Sequence, residues 1–163
     1  MSKSKTVWYV IADGARARVV ERNRESGAYH PIRLFRSKLA RLKSSKLKSD
    51  RPGRVIESSS SARHAASPRH DPHEDAKLAF ARDVAGHIEF AAKEREFDEL
   101  VLAAPSRILN EIKKHLETRT LSQVVSELAK DLTKTPDGKL GDHLDEIALR
   151  IERGFVTIDR HHH

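Results

Sequence analysis

The sequence predicts an α/β protein in which three strands come first and helices then alternate with strands, in the order β-β-β-α-β-α-β-α. Val7–Ala12 is a nearly continuous apolar run rich in β-branched and aromatic residues, which is typical of a central strand buried on both faces. Asp13-Gly14 then predicts a turn in which glycine supplies a positive φ and the carboxylate bonds its own backbone. Alternation of apolar residues with arginines over residues 15–20 predicts the return strand of a hairpin.

A third strand is predicted at Tyr29–Arg36, after a turn at residues 23–27. Ile32 and Leu34, with Phe35 as a further candidate, are expected to pack inward. Pro31 has no N–H to donate within a sheet, so this strand is expected to lie at an edge or to begin there. Residues 37–70 show no clean period, and only Ser37–Lys48 is compatible with a short basic helix.

The second half of the chain alternates helices with strands. Asp71 is a good N-cap, with Pro72 at the first helical position and Glu74 placed as in a capping box. The apolar face of this helix runs to about Arg95 and consists of Phe80, Val84, Ile88 and Ala91, with Ala81, Ala85 and Ala92 beside them.

Glu99–Ala104 is a second buried strand, and the helix after it has an apolar face made of Ile108, Leu109, Ile112 and Leu116. Residues 121–132 fit either a helix or a strand. We favour a strand at about 122–130, because a return strand restores the sheet after a crossover helix. A final helix has an apolar face of Leu140, Leu144, Ile147 and Ile151.

The length of 163 residues predicts one domain over residues 1–160. The three histidines at 161–163 are interpreted as the remnant of a purification tag.

The absence of cysteine excludes disulfides, thiol catalysis and Cys-ligated metals. The apolar run after the basic first residues is too short for a signal peptide, and no run approaches the roughly 18 apolar residues of a spanning helix. A soluble, cytoplasmic protein is therefore expected.

Positive charge is concentrated in one part of the chain. Residues 33–70 carry eleven Lys and Arg against Asp50 and Glu57, a net +9, so that with a total of +7 the remainder carries −2. A concentrated positive segment favours polyanions such as RNA, DNA, anionic membranes or acidic polysaccharides, while the alternative interpretation is a solvated, flexible loop. We call residues 37–70 the basic loop. The candidate phosphate-contacting residues in and beside it are Arg33, Arg36, Lys38, Arg41, Lys43, Lys46, Lys48, Arg51 and Arg54.

Three meandering strands followed by alternating helices and strands resemble a ribonuclease-H-like, three-layer mixed five-stranded sheet, which implies that Leu100–Ala104 pairs in parallel with Val7–Ala12. The residues resemble a bacterial family named for attachment to host cells, itself similar to the middle domain of archaeal and eukaryotic class I release factors. The stretches that resemble it are Val10–Arg18, Asp50–Arg54, Ala79–Arg82, Leu100–Pro105 and Lys130–Thr133.

The release-factor domain carries a catalytic Gly-Gly-Gln tip just before its first helix, where this chain has His70–Asp75. No Gly-Gly or Gly-Gln pair occurs anywhere in the sequence. The resemblance therefore implies the fold and an RNA-facing loop, but not peptidyl-tRNA hydrolysis.

Three sets of residues could carry chemistry, and each has a simpler explanation. His64, His70 and His73, with Asp71, Glu74 and Asp75, match no closed zinc pattern, and two of the carboxylates already serve as caps. Asp13, with Asp83, Glu89, Asp98 and Glu99, forms no convincing two-metal nuclease set. Ser58–Ser61 beside His64 lack an oriented third group. We therefore expect no catalytic residue, no metal and no cofactor.

The sequence favours a non-catalytic binding protein whose basic loop contacts RNA or the ribosome. The first alternative is a host-cell attachment factor or regulator that acts through protein or polysaccharide. The second is a metal-dependent nuclease or other hydrolase centred on Asp13.

Overall fold

The computed structural model describes residues 5–38 and 71–154, which form one mixed sheet with helices on both faces. The strands are β1 (Val7–Ala12), β2 (Arg16–Arg22), β3 (Tyr29–Arg36), β4 (Glu99–Ala103) and β5 (Val124–Leu128). The helices are α1 (Pro72–Lys93), α2 (Ser106–Lys114), the short α3 (Thr118–Leu121) and α4 (Gly141–Arg153), and a 3₁₀ turn at Asp137–Lys139 precedes α4. The predicted element order is confirmed, and α3 and the 3₁₀ turn are additions to it.

The five strands lie in the order β3-β2-β1-β4-β5. β1 pairs antiparallel with β2 and parallel with β4, so that Val10 lies between Val19 and Leu102. β5 extends the parallel side of the sheet beyond β4. The predicted parallel pairing of the fourth strand with the first is therefore confirmed, and β1 is the central strand.

Two hydrophobic clusters, one on each face of the sheet, explain the continuous apolar run of β1. Trp8 and Val10 pack beneath α1 and α2, while Tyr9 and Ile11 pack beneath α4. Successive residues of a strand point to opposite faces, so a strand covered on both sides needs apolar residues throughout. The protein thus has three layers, as predicted.

β3 lies at an edge of the sheet, as Pro31 predicts, but the expectation that Ile32 and Leu34 pack inward is wrong. Their exposed fractions are 39% and 72%. The reason is an irregularity opposite Val19 and Val20, where the register with β2 shifts by one residue at Ile32. An extra residue reverses the side-chain alternation beyond it, so Tyr29 faces the α4 side while Phe35 faces the α1 side.

The Asp13-Gly14 turn forms as predicted, but for a different reason at Gly14. Gly14 does not have the positive φ that the sequence predicts. Among the described glycines, only Gly27 and Gly154 have a positive φ. Instead, a Cβ at Gly14 would collide with the Lys77 side chain of α1. The glycine therefore permits the second turn of α1, where Lys77 lies, to approach the hairpin.

α1 follows its prediction closely. Asp71 caps it by accepting a hydrogen bond from the His73 N–H at 3.0 Å, and Pro72 occupies the first turn. The predicted apolar face is buried, with Phe80, Val84 and Ile88 against the sheet.

The ambiguous stretch at 121–132 contains the predicted strand, β5. The expected helix at Ser37–Lys48 lies outside the described residues, apart from its start. Within the described ranges, no helix has the length and apolar character needed to cross a membrane.

Candidate nucleic-acid interface

A groove of about 710 Å³ lies between the second half of β3 and the outward face of α1. Arg36 and Lys38 border it on the strand side, and Arg82 and Asp83 border it on the helix side. All four residues are exposed. The basic loop leaves the end of β3 beside this groove and returns to the start of α1. The described part of the predicted polyanion site therefore opens onto a concave surface.

Arg33, the first residue of the predicted site, is engaged within the fold. Its guanidinium carbon lies 5.2 Å from the centre of the Trp8 ring, and its Nη2 lies 2.6 Å from Glu96 Oε1. A guanidinium over an indole face is attracted by the electrons of the ring. These contacts hold Arg33 over the core of the α1 side, so a phosphate that contacted it would compete with Glu96.

The predicted site residues thus divide into three groups. Arg36 and Lys38 both line the groove. Arg33 lies earlier on β3 and contacts Trp8 and Glu96. Arg41, Lys43, Lys46, Lys48, Arg51 and Arg54 lie outside the described residues, and their role stays a prediction.

The outward face of α1 contains residues that the sequence reasoning missed, of which Arg82 and Gly86 line the groove. Arg82, Gly86 and Phe90 recur at four-residue spacing, which places them on one face of α1, opposite the buried Phe80 and Val84. Phe90 is 61% exposed. The available signal was a glycine and an aromatic residue at helical spacing on the polar face of an amphipathic helix.

The floor of the groove contains a stacked aromatic pair. The rings of Phe35 and His87 lie 4.2 Å apart between centroids at an interplanar angle of 10°. His87 is exposed and Phe35 is half-buried. Phe35 therefore covers one face of the His87 ring, and the pair joins β3 to α1 within the groove.

Asp13, the centre of the alternative nuclease site, has a structural role. Its Oδ1 accepts hydrogen bonds from the backbone N–H groups of Ala15 and Arg16, both at 2.8 Å. Its Oδ2 lies 3.0 Å from the Thr133 hydroxyl, which also lies 2.5 Å from Asp131 Oδ1. The carboxylate of Asp13 closes the β1–β2 turn and ties it to the loop before α4.

Of the other four carboxylates of that alternative, three are held by different partners. Glu89 accepts from the Glu117 N–H at 2.6 Å, Asp98 accepts from the Thr6 N–H at 2.8 Å, and Glu99 pairs with Lys5 at 3.1 Å. Asp83 borders the groove. Across residues 5–38 and 71–154, no group of three His, Asp or Glu side chains could hold a metal ion.

The histidine-rich stretch before α1 is only partly within the described residues. Asp71 caps the helix, and Glu74 lies 3.5 Å from the Nε of Arg107 on α2. His64 and His70, like Ser58–Ser61, lie outside the described residues. The two carboxylates thus have partners within the fold.

Comparison with known proteins gives a family and several similar solved structures. The family model described as "Protein required for attachment to host cells" matches residues 8–144. The crystal structure of an archaeal translation termination factor is similar at 10% sequence identity and a TM-score of 0.43, covering 91% of this chain and 41% of that one. The chain therefore spans less than half the length of that factor. No curated protein matches the chain.

Proposed function

The chain belongs to the family of proteins required for attachment to host cells, and we propose that it binds RNA without sequence preference through its basic loop. The observation that carries this proposal is the charge distribution. Residues 33–70 hold a net +9 while the rest of the chain holds −2. A local positive field on a nearly neutral body attracts a polyanion to one place and releases its counterions there.

The described end of the basic loop supports contact with a nucleic acid. Arg36 and Lys38 are exposed at a groove whose helix side adds Arg82. RNA presents phosphates together with unpaired bases in its loops and ends. A basic groove with an aromatic floor offers surfaces for both kinds of group.

We propose binding rather than catalysis as the activity. The sequence has no Gly-Gly-Gln tip. The carboxylate of Asp13 is committed to the β1–β2 turn and to Thr133. RNA on the ribosome is the first place to look for such a partner, and co-sedimentation of the protein with ribosomes from lysate is the expected result.

Charge reversal with a matched control tests the proposal. Replacing Lys43, Lys46 and Lys48 by Glu should weaken binding of a single-stranded RNA oligonucleotide by about tenfold or more, because phosphate contacts dominate such affinities. The control replaces Lys130, Lys134 and Lys139 by Glu; these lysines are exposed and lie between β5 and α4, well after the loop in the sequence. It changes the net charge equally, and its binding should stay close to that of the wild type. Equal losses in both variants, or no loss in either, would overturn the proposal.

The family description favours a second candidate, a role in attachment through an acidic polysaccharide. The same basic loop would then bind sulfates or carboxylates instead of phosphates. Competition separates the two functions. If RNA is the partner, the concentration of RNA phosphates that displaces bound heparin should be lower than the concentration of heparin sulfates that displaces bound RNA. The reverse order, with the protein in the envelope fraction of cells, would favour attachment.

A further inference from the structure

The outward face of α1 contains a glycine that the packing of the fold does not explain. Among the described residues, a Cβ built on Gly86 would meet no heavy atom within 4 Å apart from its two chain neighbours and the backbone of its own helix, and the φ of Gly86 is not in the left-handed region. Glycine inside a helix is about 1 kcal/mol less favourable than alanine. The fold therefore keeps an open space above Gly86 at a cost in stability that no neighbouring residue accounts for.

Aromatic rings lie on both sides of this space. His87 stacks on Phe35 next to Gly86, and Phe90 lies one helical turn further along the same face. Phe90 is among the few large apolar side chains of the described residues that are more than half exposed. Exposed aromatic rings with space above them are the surfaces on which nucleic-acid bases stack.

The charges around the rings favour an anionic partner. Three basic residues, Arg36, Lys38 and Arg82, line the groove, and Asp83 is the acidic residue among its described lining. Arg82 is 51% exposed and lies 3.8 Å from Glu111. Basic residues at the rim and aromatic residues along the floor are the combination that holds a single strand, with phosphates at the rim and bases against the rings.

We propose that the groove between β3 and α1, together with the adjoining exposed Phe90 of α1, is a base-stacking subsite for single-stranded RNA, in which unpaired bases stack on His87 and Phe90 beside Gly86. This proposal rests on the proposed RNA binding and adds a preference for unpaired strands. A duplex keeps its bases stacked internally and offers only phosphates, riboses and groove edges to these rings. The basic loop then supplies affinity for any RNA, and the groove distinguishes single strands from duplexes.

The test compares the affinities of a 12-nucleotide RNA and of the corresponding 12-base-pair duplex, measured by fluorescence anisotropy. Replacing His87 and Phe90 by Ala should weaken single-strand binding by about thirtyfold or more and leave duplex binding unchanged, because each lost stack contributes about fivefold or more to the affinity. Replacing them by Tyr and Trp should retain single-strand binding. Leu149→Ala, at an exposed leucine of α4 on the other face of the sheet, is the matched control and should change neither affinity.

A second variant keeps the test decisive if the alanine pair lowers stability. Gly86→Gln fills the space beside the rings with a neutral side chain whose Cβ meets no other described side chain within 4 Å, so the variant should fold normally and lose single-strand binding selectively. Unchanged single-strand binding in both variants, or equal losses for strand and duplex, would overturn the subsite alone. A wild-type protein that binds neither RNA would overturn the proposed function and the subsite together.

Discussion

Asp13 connects parts of the chain that are about 120 residues apart. One oxygen accepts two backbone N–H groups of its own turn, and the other meets the Thr133 hydroxyl. Arg18 reinforces the same junction, because its guanidinium donates to the Leu132 carbonyl at 3.0 Å and pairs with Asp137 at 2.8 Å. The loop before α4 is thereby attached to the hairpin by side chains.

Replacing Asp13 by Ala should therefore lower the free energy of unfolding by about 2–3 kcal/mol, because two backbone donors and a hydroxyl lose a charged acceptor. Asp13→Asn should cost less, since its amide oxygen can still accept within the turn. Urea unfolding followed by circular dichroism would measure both changes. Equal stability of Asp13→Ala and wild type would contradict the structural role of Asp13.

Two buried tyrosines pack edge to face beneath α4. The rings of Tyr9 and Tyr29 lie 5.6 Å apart, and the Tyr29 hydroxyl donates to Asp145 Oδ1 at 2.7 Å. Burial raises the pKa of both hydroxyls above the usual value of 10.0, and for Tyr29 the hydrogen bond to Asp145 raises the pKa further. Each hydroxyl thus keeps its proton in the folded protein at a pH where the unfolded chain has lost it.

Because these pKa values are higher in the folded state, their stabilising effect is complete below about pH 10 and is lost as the pH rises above it. Tyr29→Phe should lower the free energy of unfolding by about 1–2 kcal/mol at pH 7, since Asp145 loses a donor. The same variant should lose stability less steeply than the wild type between pH 10 and pH 12. Parallel stability curves of the two proteins over that range would contradict the assignment to Tyr29.

At the scale of elements, β3 shows that the pairing of strands, and not the local sequence, decides which side chains are buried. The sequence of β3 predicts its extent and Pro31 predicts its edge position, but the register shift opposite Val19 and Val20 decides which side chains are covered. That shift depends on how β2 and β3 pair, so the residues of β3 alone do not reveal it. The burial of β1 could be predicted completely, because a strand that is covered on both faces is apolar throughout and its register does not change which residues are buried.

Two leucine substitutions test this interpretation of β3. Leu34→Ala should change the free energy of unfolding by no more than about 0.5 kcal/mol, because Leu34 is 72% exposed. Leu102→Ala, at a leucine of β4 that is 1% exposed, should cost about 2–5 kcal/mol. Chemical unfolding measures both values. A loss at Leu34 comparable to that at Leu102 would mean that β3 packs inward after all.

Gly86 offers a prediction for α1. Gly86→Ala should raise the free energy of unfolding by about 0.5–1 kcal/mol, because alanine favours the helix and the added methyl group meets no neighbour. Thermal unfolding of the two proteins measures the difference. A destabilised Gly86→Ala protein would show that the space above Gly86 is needed by the fold itself.

The candidate site was predictable in its charge but not in its shape. The cluster of Lys and Arg over residues 33–70 is visible in the sequence. The partners of Arg33 are not, because Trp8 and Glu96 come from distant parts of the chain. The aromatic floor was missed for the same reason, since Phe35 and His87 meet only when β3 and α1 pack together.

At the scale of the whole molecule, the central claim is that the basic loop binds RNA through phosphates, and its salt dependence is the most direct test. The logarithm of the binding constant for a single-stranded RNA should fall linearly with the logarithm of the salt concentration, by about 0.7 for each phosphate contacted. Replacing Lys43, Lys46 and Lys48 by Glu should reduce that slope by about 2. The same replacement at Lys130, Lys134 and Lys139 should leave the slope as it is. An affinity that stays flat from low to high salt, or a slope that both variants change equally, would contradict the claim.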